Sequence, residues 1–522
     1  MILRQLCTAR TASRAFNLSS FARPSTTTTM PLRARIAMSN AMAQGSRRLN
    51  STEATSSTAP QSEQAAPKEE DPDDVLFDSL YGIRTITLNR PAKLNALSGS
   101  MAGKILPRLQ EWQKSDMANI VVIKGAGRGF CAGGDVSALA IQNRDGGMEG
   151  QAASLDYFAL EYKLDNLIAK YTKPYVAFMD GATMGGGCGL SVHGHFRVAT
   201  ERTHFAMPET KIGFFPDVGA SFFLPRLDGY LGTYLGLTGA GLKGVQAYWA
   251  GIATHYVHSS SLEDLQSRLA ELVFNDYDDL QVRLEHVNST IEEYVTGLPP
   301  GEKFILGGET REAIDRCFRY NTVDEILQAL EAEGTEWARE TIKTLKERSP
   351  TSVRVALLEM RYGAAWSINT AFQREYHIAR KFMDHENHPD FVEGVSKLLI
   401  QKVPKGEKPV PPKWSPPTFE TTTNDQALAY FGIEEGAKPL DLVKIPGEAD
   451  YLHYPHGWIG LPSENAVKIL LGSKGERKNV EQLKKLVIKQ WDAKVGVEEK
   501  LEDVIARKIK VLENGMAEWR VD

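Results

Sequence analysis

Twice in this chain a short run of β-branched and apolar residues ends in a cluster of glycines and passes straight into a helical pattern. NIVVIKGAG at 119–127 leads into RGFCAGGDVSAL, and YVAFMDG at 175–181 leads into ATMGGGCGLSVHG. Glycine lets a backbone turn sharply and lets a ligand approach N–H groups that side chains would otherwise cover. A helix start adds unpaired amides with partial positive charge. Two such loops can direct two donors at one oxygen, which is how an oxyanion is stabilised. Either loop taken singly serves equally well for close packing of a helix on a strand. Their repetition favours a shared site, with Gly133 and Gly134 on one side and Gly185, Gly186 and Gly187 on the other.

The same alternation of strand and helix extends along the chain. VLFDS, IRTITLN and HFRVAT read as further strands, while 98–112 and 156–171 read as helices, so an α/β fold with a helix-covered sheet is expected. From about 260 to 400 the pattern is almost entirely helical, with 322–330 and 335–346 as clear amphipathic pieces. The proline-dense stretch 402–420 marks a boundary. Beyond it, Val480, Leu483, Val487 and Trp491 share one helical face in a region with a basic side. The expected organisation is therefore a leader at 1–50, a linker at 51–72, an α/β core at 73–260, a helical part at 261–418 and a helical extension at 419–522.

The first 50 residues carry eight arginines, many Ser and Thr, no lysine and no acid, the composition of a mitochondrial transit peptide. A disordered basic arm for an acidic partner is the alternative. Without those arginines the formal charge moves from −5 to −13 for residues 51–522, which argues against overall nucleic-acid binding by the body. No run of 18 uncharged apolar residues occurs, so no membrane span is expected. Cys7, Cys131, Cys188 and Cys317 lack disulfide-framework or zinc spacing. A P-loop and a Gly-x-Ser-x-Gly elbow are both absent, and Phe130 stands where a dinucleotide fingerprint needs glycine. His193 and His195 lack ligand spacing and read as structural.

The acids of FAMPETKIGFFPDVGASFFLPRL, 205–227, are the candidates for chemistry. Glu209 and Asp217 lie among Phe214, Phe215, Phe222 and Phe223, and apolar surroundings disfavour the charged carboxylate, which is how acids and bases are tuned. The plainer alternatives are that Asp217 caps the next helix and that Glu209 pairs with Lys211. Glu161, within FALEYKLDNL, reads by itself as a solvated helix residue.

FCAGGD, GATMGGGCGL, AMPET and GFFPDVG in this order resemble the crotonase superfamily, and within it the 3-hydroxyisobutyryl-CoA hydrolases. LNRPAKLNALS (88–98), SPTSVRVAL (349–357), EGVSKLLIQK (393–402) and PKWSPP (412–417) extend the similarity over roughly residues 75–418. The resemblance implies a spiral of ββα units with a helical C-terminal part, and hydrolysis of 3-hydroxyisobutyryl-CoA in valine breakdown within the mitochondrial matrix. Its site residues would be the Gly134 and Gly186 amides as oxyanion hole and Glu209 as catalytic carboxylate, either attacking the thioester or activating water. Asp217 and Glu161 would bind the hydroxyl end and orient water, while Lys93, Ala132, Gly133, Asp135 and Lys402 would hold the CoA part. No metal or separate cofactor is implied, since coenzyme A is part of the substrate, and homo-oligomerisation is left open. Similar enoyl-CoA hydratases carry a second glutamate where this chain has Gly189, which disfavours hydration. The long form resembles a fungal group with members in the small subunit of the mitochondrial ribosome. That likeness implies rRNA or ribosomal-protein contact through the extension, with or without hydrolase activity, although a solvated helix face is the commoner use of such a basic run.

Overall fold

The computed structural model describes residues 72–403, 410–445, 450–472 and 478–520. The leader and linker readings lie outside these residues, apart from position 72. Among the described residues the two main sheets are built from β1 (Val75–Leu80), β2 (Ile83–Leu88), β3 (Ile120–Gly125), β4 (Gly129–Cys131), β5 (Tyr175–Met179), β6 (Ala182–Met184), β7 (Phe196–Ala199), β8 (His204–Ala206), β9 (Leu242–Lys243) and β10 (His255–Tyr256). The larger sheet has the order β1-β2-β3-β5-β7-β10, and β4-β6-β8-β9 form the smaller one. All neighbours pair in parallel except β1 with β2 and β8 with β9.

The apolar runs of β3 and β5 are continuous because both faces of the larger sheet are covered. Val121, Ile123, Ala177 and Met179 face one core, while Ile120, Val122, Val176 and Phe178 face the other. That split follows the two-residue period of a strand. The chain gives one strand to each sheet in turn, β3 then β4, β5 then β6, β7 then β8. After the first two pairs it enters helices, and after β8 it enters the 3-10 turn Glu209–Ile212. This is the expected ββα spiral, and it sets the C-terminal ends of β4, β6 and β8 side by side.

Helix starts follow their local chemistry. Ser98 accepts from the Met101 amide at 3.3 Å and opens α1 (Gly99–Lys114), while Asp135 precedes α2 (Val136–Asp145). Next come α3 (Gly147–Ala169) and α4 (Gly186–Val192). The first amphipathic piece of the helical part forms Val323–Glu333, opened by a Thr322/Glu325 capping box, and the second forms Glu336–Lys346.

The extension folds onto the body. Leu483 and Val487, on the helix Val480–Gln490, join Val467, Leu501 and Val504 in a cluster with Val245, Tyr248 and Trp249. Lys485 and Lys489 stay exposed on that helix. A buried ion network also crosses the seam: Lys500 meets Asp228 at 2.6 Å, Lys508 meets Asp315 at 3.1 Å, and Glu464 receives Arg507 at 2.8 Å and Arg311 at 3.3 Å. Arg311 is fully buried, so removing one partner strands a charge away from water. Glu464→Ala is therefore expected to cost about 3–5 kcal/mol in urea unfolding of the full chain. Stability within about 0.5 kcal/mol of the parent, the usual range for surface changes, would show that the network does not hold the seam.

Candidate active site

The first glycine loop is pinned from outside by the segment 88–98. Leu97 donates to the Gly133 carbonyl at 2.8 Å and accepts from the Asp135 amide at 2.8 Å, and Ala132 donates to Leu94 at 3.1 Å. Between them, the Gly134 amide has no acceptor among the described residues. Gly186 is the first residue of α4, where helix geometry leaves the amide unpaired. The two loops meet closely, because a Cβ built on Gly186 would lie 3.4 Å from the Gly134 nitrogen and only 2.3 Å from Glu161 Oε1. A side chain at 186 would fill the space between the bare amides and displace the glutamate.

Glu209 enters as the first residue of the turn after β8, with its carboxylate over the second loop. A Cβ on Gly185 would come within 3.0 Å of Glu209 Oε1 and 3.5 Å of Gly133 Cα. Glu209 is buried, its Oε2 has no hydrogen-bond partner among the described residues, and Lys211 points into solvent without pairing to it. Asp217 is also buried and accepts from the Tyr162 hydroxyl at 2.7 Å, while Gly219 occupies the cap position of the next helix. Glu161, which reads as solvated in sequence, is buried on α3. The structure thus brings Gly134, Gly186, Glu161 and Glu209 together, with Asp217 near enough for its charge to act on both glutamates.

Burial dominates the electrostatics of this cluster. Burial, then the nearby Asp217 and Glu161 charges, holds the Glu209 carboxyl well above the ordinary range. Burial followed by Asp217 does the same to Glu161. Asp217 is pushed up to about 7 by burial, against the opposing Tyr162 hydrogen bond. Like charges in one unsolvated space cannot all ionise together.

Two residues of this site escape sequence reasoning. Tyr162 and Asp165 lie on α3 one and four residues after Glu161, and only the fold turns them inward. Asp165 is fully buried with both oxygens unpartnered among the described residues, and burial followed by the Glu161 charge raises its carboxyl. A Cβ at Gly189 would sit 2.3 Å from Asp165 Oδ2. The room that a larger residue at 189 would need is therefore taken by an acid from another helix. The spacing i, i+4 from Glu161 was the available signal.

The residues expected to hold the CoA part surround the first loop. Asp135 forms ion pairs with Lys93 at 2.8 Å and Arg90 at 2.9 Å, and those partners lower its carboxyl despite its burial. The Ala132 amide is engaged by Leu94, so it is not free to donate. Lys402 is exposed after the π-helical turn Ser396–Ile400, which packs on α2.

Paired sheets wound in this order, with bare amides and buried acids at three adjacent strand ends, are the crotonase fold. Residues 83–431 match the family model described as Enoyl-CoA hydratase/isomerase, and the chain belongs to that family. The small ribosomal subunit protein mS47 of Neurospora crassa is 50% identical over 512 residues, covering 95% of this chain and 96% of its own length. The mitochondrial 3-hydroxyisobutyryl-CoA hydrolase of Gallus gallus is 42% identical over 355 residues, or 67% of this chain and 87% of its own. Among solved structures, a carnitinyl-CoA dehydratase from Mycobacterium thermoresistibile superposes with a TM-score of 0.61 at 33% identity, covering 72% of this chain and 100% of that one.

The raised acids carry a stability consequence. Between pH 4 and 7 folded Asp217 keeps a proton that the unfolded chain releases, so its contribution is full below the unfolded value and is lost as pH rises. Asp217→Asn removes this ionisation and is expected to be near neutral at pH 4 and stabilising by roughly 2–4 kcal/mol at pH 8. Thermal melts across that range test it, and a variant less stable than the parent at pH 8 contradicts it.

Proposed function

We propose that the chain is a mitochondrial hydrolase of acyl-CoA thioesters acting on 3-hydroxyisobutyryl-CoA, releasing 3-hydroxyisobutyrate and CoA in valine breakdown. The observation that carries this reading is one carboxylate, Glu209, set beside two converging loops with unpaired amides. Supporting it is the 42% identity to the Gallus gallus hydrolase over 355 residues.

In this reading the thioester carbonyl oxygen lies between the Gly134 and Gly186 amides, which take up the charge that develops as the carbonyl is attacked. The ionised Glu209 either attacks the carbonyl carbon, expelling CoA thiolate and leaving an anhydride that water then opens, or removes a proton from the attacking water. Its raised proton affinity makes it a stronger base once it ionises, and the acyl-CoA excludes the remaining water. Glu161 and Asp217, both held toward the protonated form chiefly by burial, are free to donate to the substrate hydroxyl and to orient water. Lys93 and the first loop hold the CoA part, and coenzyme A enters as substrate rather than cofactor. One placed carboxylate satisfies hydrolysis, whereas hydration of a double bond calls on two facing ones.

Glu209→Gln is expected to lower release of free thiol from 3-hydroxyisobutyryl-CoA by at least the roughly 100 to 1000-fold that a missing oxyanion donor costs, with an unchanged thermal melt. Parent-like turnover in that variant overturns the mechanism.

A second reading is supported by the Neurospora crassa relative, whose match of 512 residues includes most of the extension. In it, the chain sits on the small subunit of the mitochondrial ribosome, using exposed lysines such as Lys468, Lys485 and Lys489 against rRNA or a neighbouring protein. These lysines are exposed whereas the acid cluster is buried, so both roles can coexist. Contact through phosphates releases counterions, so co-sedimentation with the small subunit of mitochondrial extract is expected at low salt and should weaken steeply between about 50 and 200 mM. Migration as free protein at both salts removes this reading.

A further inference from the structure

Asp217 stands next to a backbone position that is costly to maintain. Val218 has φ +55°, a left-handed conformation that a β-branched residue adopts only when its surroundings force it. Two buried side chains supply that force from elements far apart in sequence. From the C-terminal end of α4, His193 Nε2 meets the Val218 carbonyl at 2.7 Å. Burial pushes this imidazole down to about 4, so the ring is neutral and must carry its proton on Nε2 to donate there. From the helix Ile368–Phe382, Glu375 Oε2 accepts from the Gly219 amide at 2.7 Å, and Oε1 accepts from the Ser221 amide at 3.0 Å and from the Ser221 hydroxyl. Glu375 is fully buried, and all three of its partners are donors on the turn that follows Asp217. One turn earlier on that helix, Phe372 packs against His193 with ring centroids 5.4 Å apart and against Tyr162, the donor to Asp217, at 6.2 Å.

We infer that Glu375 and His193 are positioning residues for Asp217, clamping from two sides the strained turn that carries it and so fixing where its carboxyl meets the hydroxyl end of the acyl group. The catalytic part of this inference rests on the thioesterase reading; the clamp itself rests on the geometry. It assigns a task to the helical C-terminal part, which sets an active-site carboxylate through Glu375. It also gives His193 a role that its sequence context does not announce. Strain of this kind relaxes when its supports are removed, and a displacement of about 1 Å at a reacting group lowers rates by up to roughly 100-fold.

The test uses the full chain with 3-fluorotyrosine at position 162, whose ¹⁹F resonance reports the Tyr162–Asp217 hydrogen bond without any need for activity. Glu375→Ala is expected to move that resonance most of the way to its position in Asp217→Ala, with Glu375→Gln in between. Turnover of 3-hydroxyisobutyryl-CoA should fall by roughly 10 to 100-fold in Glu375→Ala, while isobutyryl-CoA, which lacks the hydroxyl, loses much less. In the Asp217→Ala background the same change should add nothing, since residues that act through one group are non-additive. An unmoved resonance, or equal losses on both esters that add to those of Asp217→Ala, overturns the inference. If Glu375→Ala fails to fold, Glu375→Gln decides with the same signs. If the parent releases thiol from neither ester, the thioesterase reading fails and the resonance alone decides the clamp.

Discussion

Several carboxyl groups are buried close together, and the rest of the structure is arranged around that fact. Glu161, Glu209, Asp217 and, behind them, Asp165 and Glu375 are buried and electrostatically coupled. Each charge placed there raises the cost of the next, so the cluster holds protons at a pH where isolated carboxylates would have lost them. Such a site is destabilising to the fold. It is tolerated because the large hydrophobic core in which it sits offsets that cost.

The spiral explains how segments distant in sequence meet. Because the chain alternates between two parallel sheets, each turn of the winding brings a strand of the smaller sheet beside the previous one. The glycine loops after β4 and β6 and the acid after β8 are then neighbours in space. α3 crosses this row and lends Glu161 at Gly186 and Asp165 at Gly189, two of the three glycine positions of α4, where no side chain stands in their way. The helical C-terminal part adds a second layer of control through Glu375 and Phe372.

The extension is joined to this body by a mixed seam, apolar around Tyr248 and Trp249 and ionic around Asp228, Arg311 and Glu464. Lys468, Lys485 and Lys489 of the extension are exposed. The crotonase-fold body and the exposed surface of the extension can therefore answer to different demands within one chain, which suits a family whose relatives include both a hydrolase and a ribosomal protein by name.

The long strands, the helices at 323–333 and 336–346, and the glycine loops were legible in sequence, because each is written in local terms: apolar runs, capping residues, and turns that only glycine makes easily. The crotonase-type fold was legible through its spaced segments. The two- and three-residue strands of the smaller sheet were not, since so short a stretch shows no period. Glu161 as a buried acid, Asp165 in the space beside Gly189, and the hold of His193 and Glu375 on the Asp217 turn were decided only by tertiary structure. Burial and proximity are properties of what surrounds a residue, and those surroundings come from elements far away in sequence, as Phe372 against Tyr162 and Glu375 against Gly219 show.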